Sequence, residues 1–441
     1  MNPSDSHNIQ AKGSEPNQET TMISFGKSWL IWGCAALFYC YQFMLRVSPN
    51  VMADDLMAAF QVDACTLGIL TGFYYNTYSG LQIPAGTLMD YFKPRRVVTF
   101  AAIVCSFGTF LFSLADSIYV AAFGRALIGA GSAMGFLSCL KIGTLWFPSH
   151  KLSLIVGLTV LLGTIGGVSA GYPLAWLVEI YGWRHAMWLV AFIGFVLATL
   201  AWSIVRDVPP DALEREVLKS HGDTDTHLPQ TGLLRNIIMV ISKPQSWLIA
   251  VYGFLTYMPV SSFPDLWGTS YLMTAYQLEK PTAAMLSSLL LAGLGLGSPL
   301  FSVLCNFLQS YKATAFIAAF GSLFFFVLIL YVPGLPLWVL VGCLFFAGLF
   351  LGGQFLAFAM TCALNPLSAS GTAGGFHNMI CMLSGVFFIP YIGRLLDYVW
   401  QGGYENGVRS FTISEYTFAL SSITICLALA CMVIVLIKER Y

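Results

Sequence analysis

The sequence predicts an all-α membrane protein, twelve transmembrane helices in two pseudo-symmetric six-helix bundles. Three observations predict it. Of 441 residues, 57% are hydrophobic and 10% charged, against about 25% charged in an ordinary soluble protein. The apolar runs have the roughly 20 residues that a helix needs to cross a bilayer core about 30 Å thick, and they lack the two-residue alternation of a barrel strand. Two distant pairs of segments also repeat at almost one offset.

Apolar runs between polar punctuation place helices near 27–50, 65–89, 97–115, 118–142, 153–178 and 184–206, and again near 245–274, 282–307, 312–332, 335–362, 372–396 and 414–437. Residues 1–26 read as a disordered cytoplasmic tail, rich in Ser, Asn, Gln and Glu and without the basic start and apolar centre of a signal peptide. The expected domains are an amino-terminal bundle over 27–206, a cytoplasmic linker over 207–243 and a carboxyl-terminal bundle over 244–441. Lys and Arg gather on the side of both termini, in 93–96, 206–243 and 438–440, while the other side keeps mainly Arg46, Arg184, Lys280 and Arg409. The positive-inside rule therefore expects both termini in the cytoplasm. The formal net charge of zero carries no hint of nucleic acid. The 11 cysteines lie singly in apolar runs, as small buried hydrophobes rather than metal ligands.

PLAWLVEIYGW, Pro173 to Trp183, and PYIGRLLDYVW, Pro390 to Trp400, share a Pro-to-Trp spacing and a tyrosine, Tyr181 and Tyr398, at an offset of 217. An offset of 216 lays LQIPAGTLMDYFKPRRVV over SVLCNFLQSYK, with Ser302, Asn306 and Lys312 in place of Gly86, Asp90 and Arg96. Together the matches suggest a duplicated six-helix unit, the parallel repeat of one class of transporter. A solute site would lie between the copies.

GTLMDYFKPRR resembles the major facilitator superfamily signature, a Gly-x-Leu-x-Asp loop with basic residues between helices two and three. FGRALIGAG, Phe123 to Gly131, is similar to the family's Arg-containing fourth-helix motif, and GTIGGVSAGYP to its Gly-rich fifth helix. Tyr91 and Lys93 depart from the signature, and the second copy has lost its acid. KIGTLWFP, GLTVLLGTIGG, DLWGTSYL and GTAGGFHNM look like a branch of phagosomal nutrient transporters and, more distantly, lysosomal dipeptide transporters. The resemblance implies alternating access, amino acids or short peptides as cargo, and a bacterial inner membrane. It also implies a gating role for Gly86, Asp90, Arg95, Arg96 and Arg125, with Asp90 approaching the amino end of helix eleven. The other reading of these charges is that they only fix topology and satisfy helix ends.

Candidate solute contacts come from polar residues inside apolar helices. Tyr39, Gln42 and Arg46 share one face of helix one at i, i+3 and i+7, and Tyr75, Tyr78 and Gln82 repeat the spacing on helix two. Arg46 offers a fixed cationic fork for a carboxylate, or reaches the outer headgroups, or pairs with Asp54 or Asp55. The tyrosines suit an amphipathic solute or an interfacial belt. Lys141 either meets solute from the cytoplasmic side or snorkels. Asn378, by resemblance, is a further binding candidate. For proton coupling, Asp265 stands in YGFLTYMPVSSFPDLWG, a helix interrupted by Pro259 and Pro264, unless it caps an outer end or pairs with Lys280. His377 titrates near neutral pH in principle but shows no second titrating partner.

The expected function is a secondary active or facilitative transporter importing a small polar nutrient. Its partners are that solute, a proton or none, and the lipid bilayer; no cofactor or nucleic acid is expected, and a monomer suffices. No Walker sequence, HExxH or nucleophile–base spacing suggests an ATPase or an intramembrane enzyme. Efflux of amphipathic compounds and a non-transporting sensor on the same fold are the alternatives.

Overall fold

Polar side chains and prolines set the helix starts. Asp63 accepts the Thr66 N–H at 2.8 Å, Ser310 that of Ala313 at 3.1 Å, and Thr412 forms a capping box with Glu415, each satisfying donors that a helix start leaves free. Pro94 and Pro244 open their helices at the first position, where no N–H is needed.

The computed structural model describes residues 18–148, 151–207, 233–366, 369–405 and 408–438. The expected linker lies mostly outside them. The first half comprises α1 (Gln18–Val47), a 3-10 turn at Ser48–Val51, α2 (Ala53–Phe60), α3 (Ala64–Tyr91), α4 (Pro94–Ser113), α5 (Ile118–Ser132), α6 (Gly135–Trp146), α7 (Leu152–Ser169) and α8 (Tyr172–Ile204). The second comprises α9 (Leu233–Ile241), α10 (Pro244–Ser262), a wide π turn at Phe263–Trp267, α11 (Gly268–Tyr276), α12 (Lys280–Leu308), α13 (Tyr311–Tyr331), α14 (Leu337–Leu351), a 3-10 turn at Gly352–Gln354, α15 (Phe355–Ala363), α16 (Ser370–Val399) and α17 (Ile413–Leu436). A two-residue hairpin, β1 (Tyr404–Glu405) and β2 (Val408–Arg409), lies before α17. The first helix opens at Gln18, ahead of the expected start near 27.

Among the described residues, nine helices are long and apolar enough to cross a membrane, and two bent pairs raise the number to eleven. One of the nine, Leu154–Ile204, has 51 residues, about 76 Å of helix and so roughly twice a bilayer's depth. It breaks at Gly182, whose φ of 77° is left-handed and open to glycine without strain. Counted as two crossings, that run brings the number among the described residues to twelve. An even number places the start of α1 and the end of α17 on one face, the terminal face; the opposite is the far face.

Within each half, helices meet backbone to backbone. A Cβ at Gly166 on α7 would lie 2.0 Å from the Cys40 carbonyl of α1, and one at Gly297 on α12 would lie 1.9 Å from that of Leu349 on α14, so only glycine permits these approaches. Spans four and ten break at matching depths, at Ala133–Met134 and at Gly352–Gln354. The halves join where α3 packs on α16 and α7 on α12. Large apolar side chains such as Phe100, Phe123, Phe192 and Phe320 cover the outside, whereas Arg125, Tyr74, Tyr75 and Trp267 are fully buried inside. That inversion of a soluble protein's pattern is what a lipid solvent favours.

Candidate solute site between the two halves

Helix α1 stops because Pro49 offers no N–H for the next rung. The carbonyls this frees are taken by side chains. Ser48 Oγ donates to the Leu45 oxygen at 2.9 Å, and Arg125 of α5 donates from Nη1 to Leu45 at 2.8 Å and from Nη2 to Arg46 at 3.4 Å. Arg125 is 1% exposed. Its fork grips the last turn of α1, and so fixes where the Arg46 side chain begins.

Arg46 turns into the interface between the halves. Its Nε lies 3.3 Å from Asp265 Oδ2, its Nη1 donates to Tyr257 Oη at 2.8 Å, and its guanidinium sits 3.8 Å above the Phe43 ring. Tyr75 of α3 donates its hydroxyl to Asp265 Oδ2. Asp265 stands in the wide turn between α10 and α11 and is wholly buried; Arg46 is 5% exposed. Among the described residues, Arg46 Nε and Nη2 and Asp265 Oδ1 have no hydrogen-bond partner. A buried ion pair repays its desolvation only when its remaining hydrogen bonds are made, so this pair keeps unused capacity on both ions. The sequence brought forward Arg46, Tyr75 and Asp265 separately, and the structure brings the three together.

Around them, Tyr74 donates to Gln42 Oε1 at 3.1 Å and stacks on Tyr78, with ring centres 5.8 Å apart. Tyr39 packs edge-on to Phe43 and against Phe136. Two helical turns from Tyr75, about 10 Å along α3, Gln82 Oε1 accepts from Asn378 Nδ2 of α16 at 2.8 Å. Tyr74, Tyr257 and Asn50 were not singled out in the sequence. Tyr74 adjoins the chosen Tyr75, but no local signal distinguishes Tyr257, whose partner is 211 positions away.

Other candidates lie apart. His377 is buried inside the second half, 3.3 Å from Thr361 Oγ1 and from Cys381 Sγ. Lys141 is half-buried in α6. Arg95 donates from Nε to the Trp202 carbonyl at 2.8 Å and stacks on its ring, both within the first half, and Arg96 is exposed. The surroundings of Gly86 and the side chain of Asp90 lie outside what the structure describes. Lys280 pairs with Asp55 at 2.7 Å, not with Asp265.

At the far face the halves are bonded to each other. Besides the Lys280–Asp55 pair, Asn50 Nδ2 donates to Ser287 Oγ at 3.2 Å. Asp397, near the end of α16, accepts the N–H groups of Ala64 and Cys65 at 3.3 and 2.7 Å and pairs with Arg409 at 2.8 Å. The amino end of α3 is thus capped from the opposite half.

Residues 31–390 match a known family model, described as Major Facilitator Superfamily. The chain belongs to the Major Facilitator Superfamily. Membership makes it a multi-pass membrane transporter of small-molecule solutes. It is similar to a protein of Cupriavidus necator named as a probable sulfoacetate transporter, 24% identical over 323 residues, 67% of this chain and 71% of that one. It also resembles a probable hexose phosphate transport protein of Chlamydia trachomatis, 23% identical over 387 residues, 83% and 84% of the two chains. Among solved structures, a bacterial homolog of the human lysosomal transporter Spinster, inward-facing and unoccupied, superposes with a TM-score of 0.74 at 17% identity over 94% of this chain and 99% of that one. That likeness shows the superfamily fold.

Proposed function

We propose that the chain is a secondary transporter that imports a small polar solute bearing an acid group, an amino acid or short peptide, by alternating access around Arg46 and Asp265. One observation carries this reading: a buried arginine–aspartate pair bridges the two halves and keeps unmatched donors and an unmatched acceptor. A solute carboxylate displaces Asp265 from Arg46, whose planar fork suits it. Asp265 then receives the solute's ammonium group or a proton, since a buried carboxylate with no partner is costly. The two named relatives, for sulfoacetate and hexose phosphate, support an acid group on the cargo. The asparagine–glutamine contact between α16 and α3, with Tyr39, Gln42 and Tyr78, lines the path toward the terminal face.

In this reading the far face is closed by the Asp55, Asn50 and Asp397 contacts, and the terminal face is cytoplasmic, with the protein a monomer in a bacterial inner membrane. Gly86, Asp90, Arg95 and Arg96 act at the cytoplasmic gate. His377 has its partners within one half, so Asp265 is the coupling group.

Reconstituted vesicles offered amino acids, dipeptides, sulfoacetate and hexose phosphate, with and without an inward proton gradient, test this. Concentration of an amino acid or dipeptide only under the gradient is expected. Equilibration without concentration means uniport. Uptake confined to the sulfonate or phosphate moves the cargo assignment to those anions, and no uptake by folded, inserted protein rejects import of these solutes.

A further inference from the structure

Helix α10 does not run smoothly into α11. Pro264 has no N–H to give the carbonyl four residues back, and its ring crowds that carbonyl. The chain widens there into the Phe263–Trp267 turn, where the Gly268 N–H reaches back five residues to Phe263. Wide turns of this kind inside helices gather at functional sites. In regular helix the following N–H, that of Thr269, would bond to the Asp265 carbonyl. It donates to Asn50 Oδ1, at 3.0 Å.

Asn50 belongs to the other half. It sits in the 3-10 turn after α1, four residues beyond Arg46, and its amide nitrogen is held by Ser287 at 3.2 Å. Asn50, Thr269 and Ser287 are all buried. A side chain of the first half therefore takes up a backbone donor of the second, directly after the turn that presents Asp265.

We propose that Asn50 is a positioning residue for Asp265: it holds the wide turn that aims the carboxylate at Arg46 and Tyr75, and releases it when the far faces part. The release half rests on the alternating-access reading above. Separation withdraws Asn50 and frees the Thr269 N–H, which the Asp265 carbonyl four residues back can accept. That bond returns the turn to α geometry. Removing the extra residue from the turn rotates Asp265 by about 100°, one residue's share of a 3.6-residue turn, away from Arg46. Opening of the far face and breaking of the central ion pair then become one event.

A double-mutant cycle on the full-length protein tests the first half. Thr269→Pro deletes the N–H and bars the bond to the Asp265 carbonyl. Asn50→Leu should lower Tm in the wild-type background and by much less in the Thr269→Pro background, because the bond is already gone. Equal losses in both backgrounds overturn the assignment. Hydrogen exchange gives an independent readout: Asn50→Leu should speed deuterium uptake over residues 263–276 several-fold, while the isosteric Asn50→Asp, which keeps an acceptor oxygen, stays near wild type. Unchanged exchange in Asn50→Leu overturns it too. For the release half, Thr269→Pro cannot return to α geometry and should lower kcat for uptake by roughly tenfold or more with KM little changed; wild-type turnover refutes release. If wild-type protein moves none of the solutes offered, alternating access itself fails and takes the release half with it, and the cycle still decides whether Asn50 positions the turn.

Discussion

Arg46 Nε and Asp265 Oδ2 face each other at 3.3 Å across the two halves, both buried. Neither ion has another opposite charge in hydrogen-bond range among the described residues. Removing one partner strands the other. Asp265→Asn is expected to cost about 3–5 kcal/mol, the usual penalty for an uncompensated buried charge, read as a fall in Tm. Uptake should be lost with it. Replacing both, Arg46→Met with Asp265→Leu, should recover most of the stability and none of the transport. A double variant that still transports would remove the pair from the site.

Asp397 caps the amino end of α3 from the opposite half, and Cys65, half-buried at that end, is a native reporter on it. Asp397→Asn weakens a charge-assisted contact worth about 1.5–3 kcal/mol. The far face should open more often, so that labelling of Cys65 by an impermeant maleimide, followed by mass spectrometry, speeds up about tenfold for each 1.4 kcal/mol lost. An unchanged rate would mean that the cap is not a latch.

Arg125 holds two carbonyls at the end of α1. Arg125→Leu leaves the Leu45 carbonyl to Ser48 alone and strips the side-chain donor from that of Arg46, at a cost of about 1–3 kcal/mol for a buried group left unpaired. Arg125→Lys should recover only part of this, because an ammonium cannot fork between two acceptors. Thermal unfolding in detergent decides the order of the three proteins. Equal stability for the lysine and arginine forms would show that charge alone matters there.

The glycine contacts predict a contrast. Gly166→Ala and Gly297→Ala put a methyl within about 2 Å of a facing carbonyl, and overpacking of this kind costs about 1–3 kcal/mol. Gly157→Ala meets nothing within 4 Å and should be neutral or stabilising by up to about 1 kcal/mol, since alanine favours helix. Comparable Tm changes at all three positions would contradict the described packing.

Hydropathy alone delivered the twelve crossings, because bilayer thickness fixes helix length and the chain records it locally. The sequence also separated 153–178 from 184–206, and in the fold that 51-residue run, Leu154–Ile204, turns at one glycine, Gly182. Polar spacing on helices one and two likewise exposed Arg46, Tyr75 and Gln82, since a charge or amide in an apolar helix must face the protein. Asp265 stood out for the same reason, and the flanking prolines marked its turn as irregular. The partners were illegible. In sequence, Arg46 had Asp54 and Asp55 close by, yet in the fold Asp55 goes to Lys280 and Arg46 to Asp265.

The sequence by itself determined that this chain is an all-helical membrane protein of the facilitator type, and which polar residues had to leave the lipid. Tertiary structure alone decided which of them meet. Burial in hydrocarbon is a property of each helix, but the rotation of each helix about its axis is set by where small residues such as Gly166 and Gly297 let backbones touch. Those rotations bring an asparagine after α1 to a backbone amide 219 positions later, and with it the carboxylate that Arg46 needs.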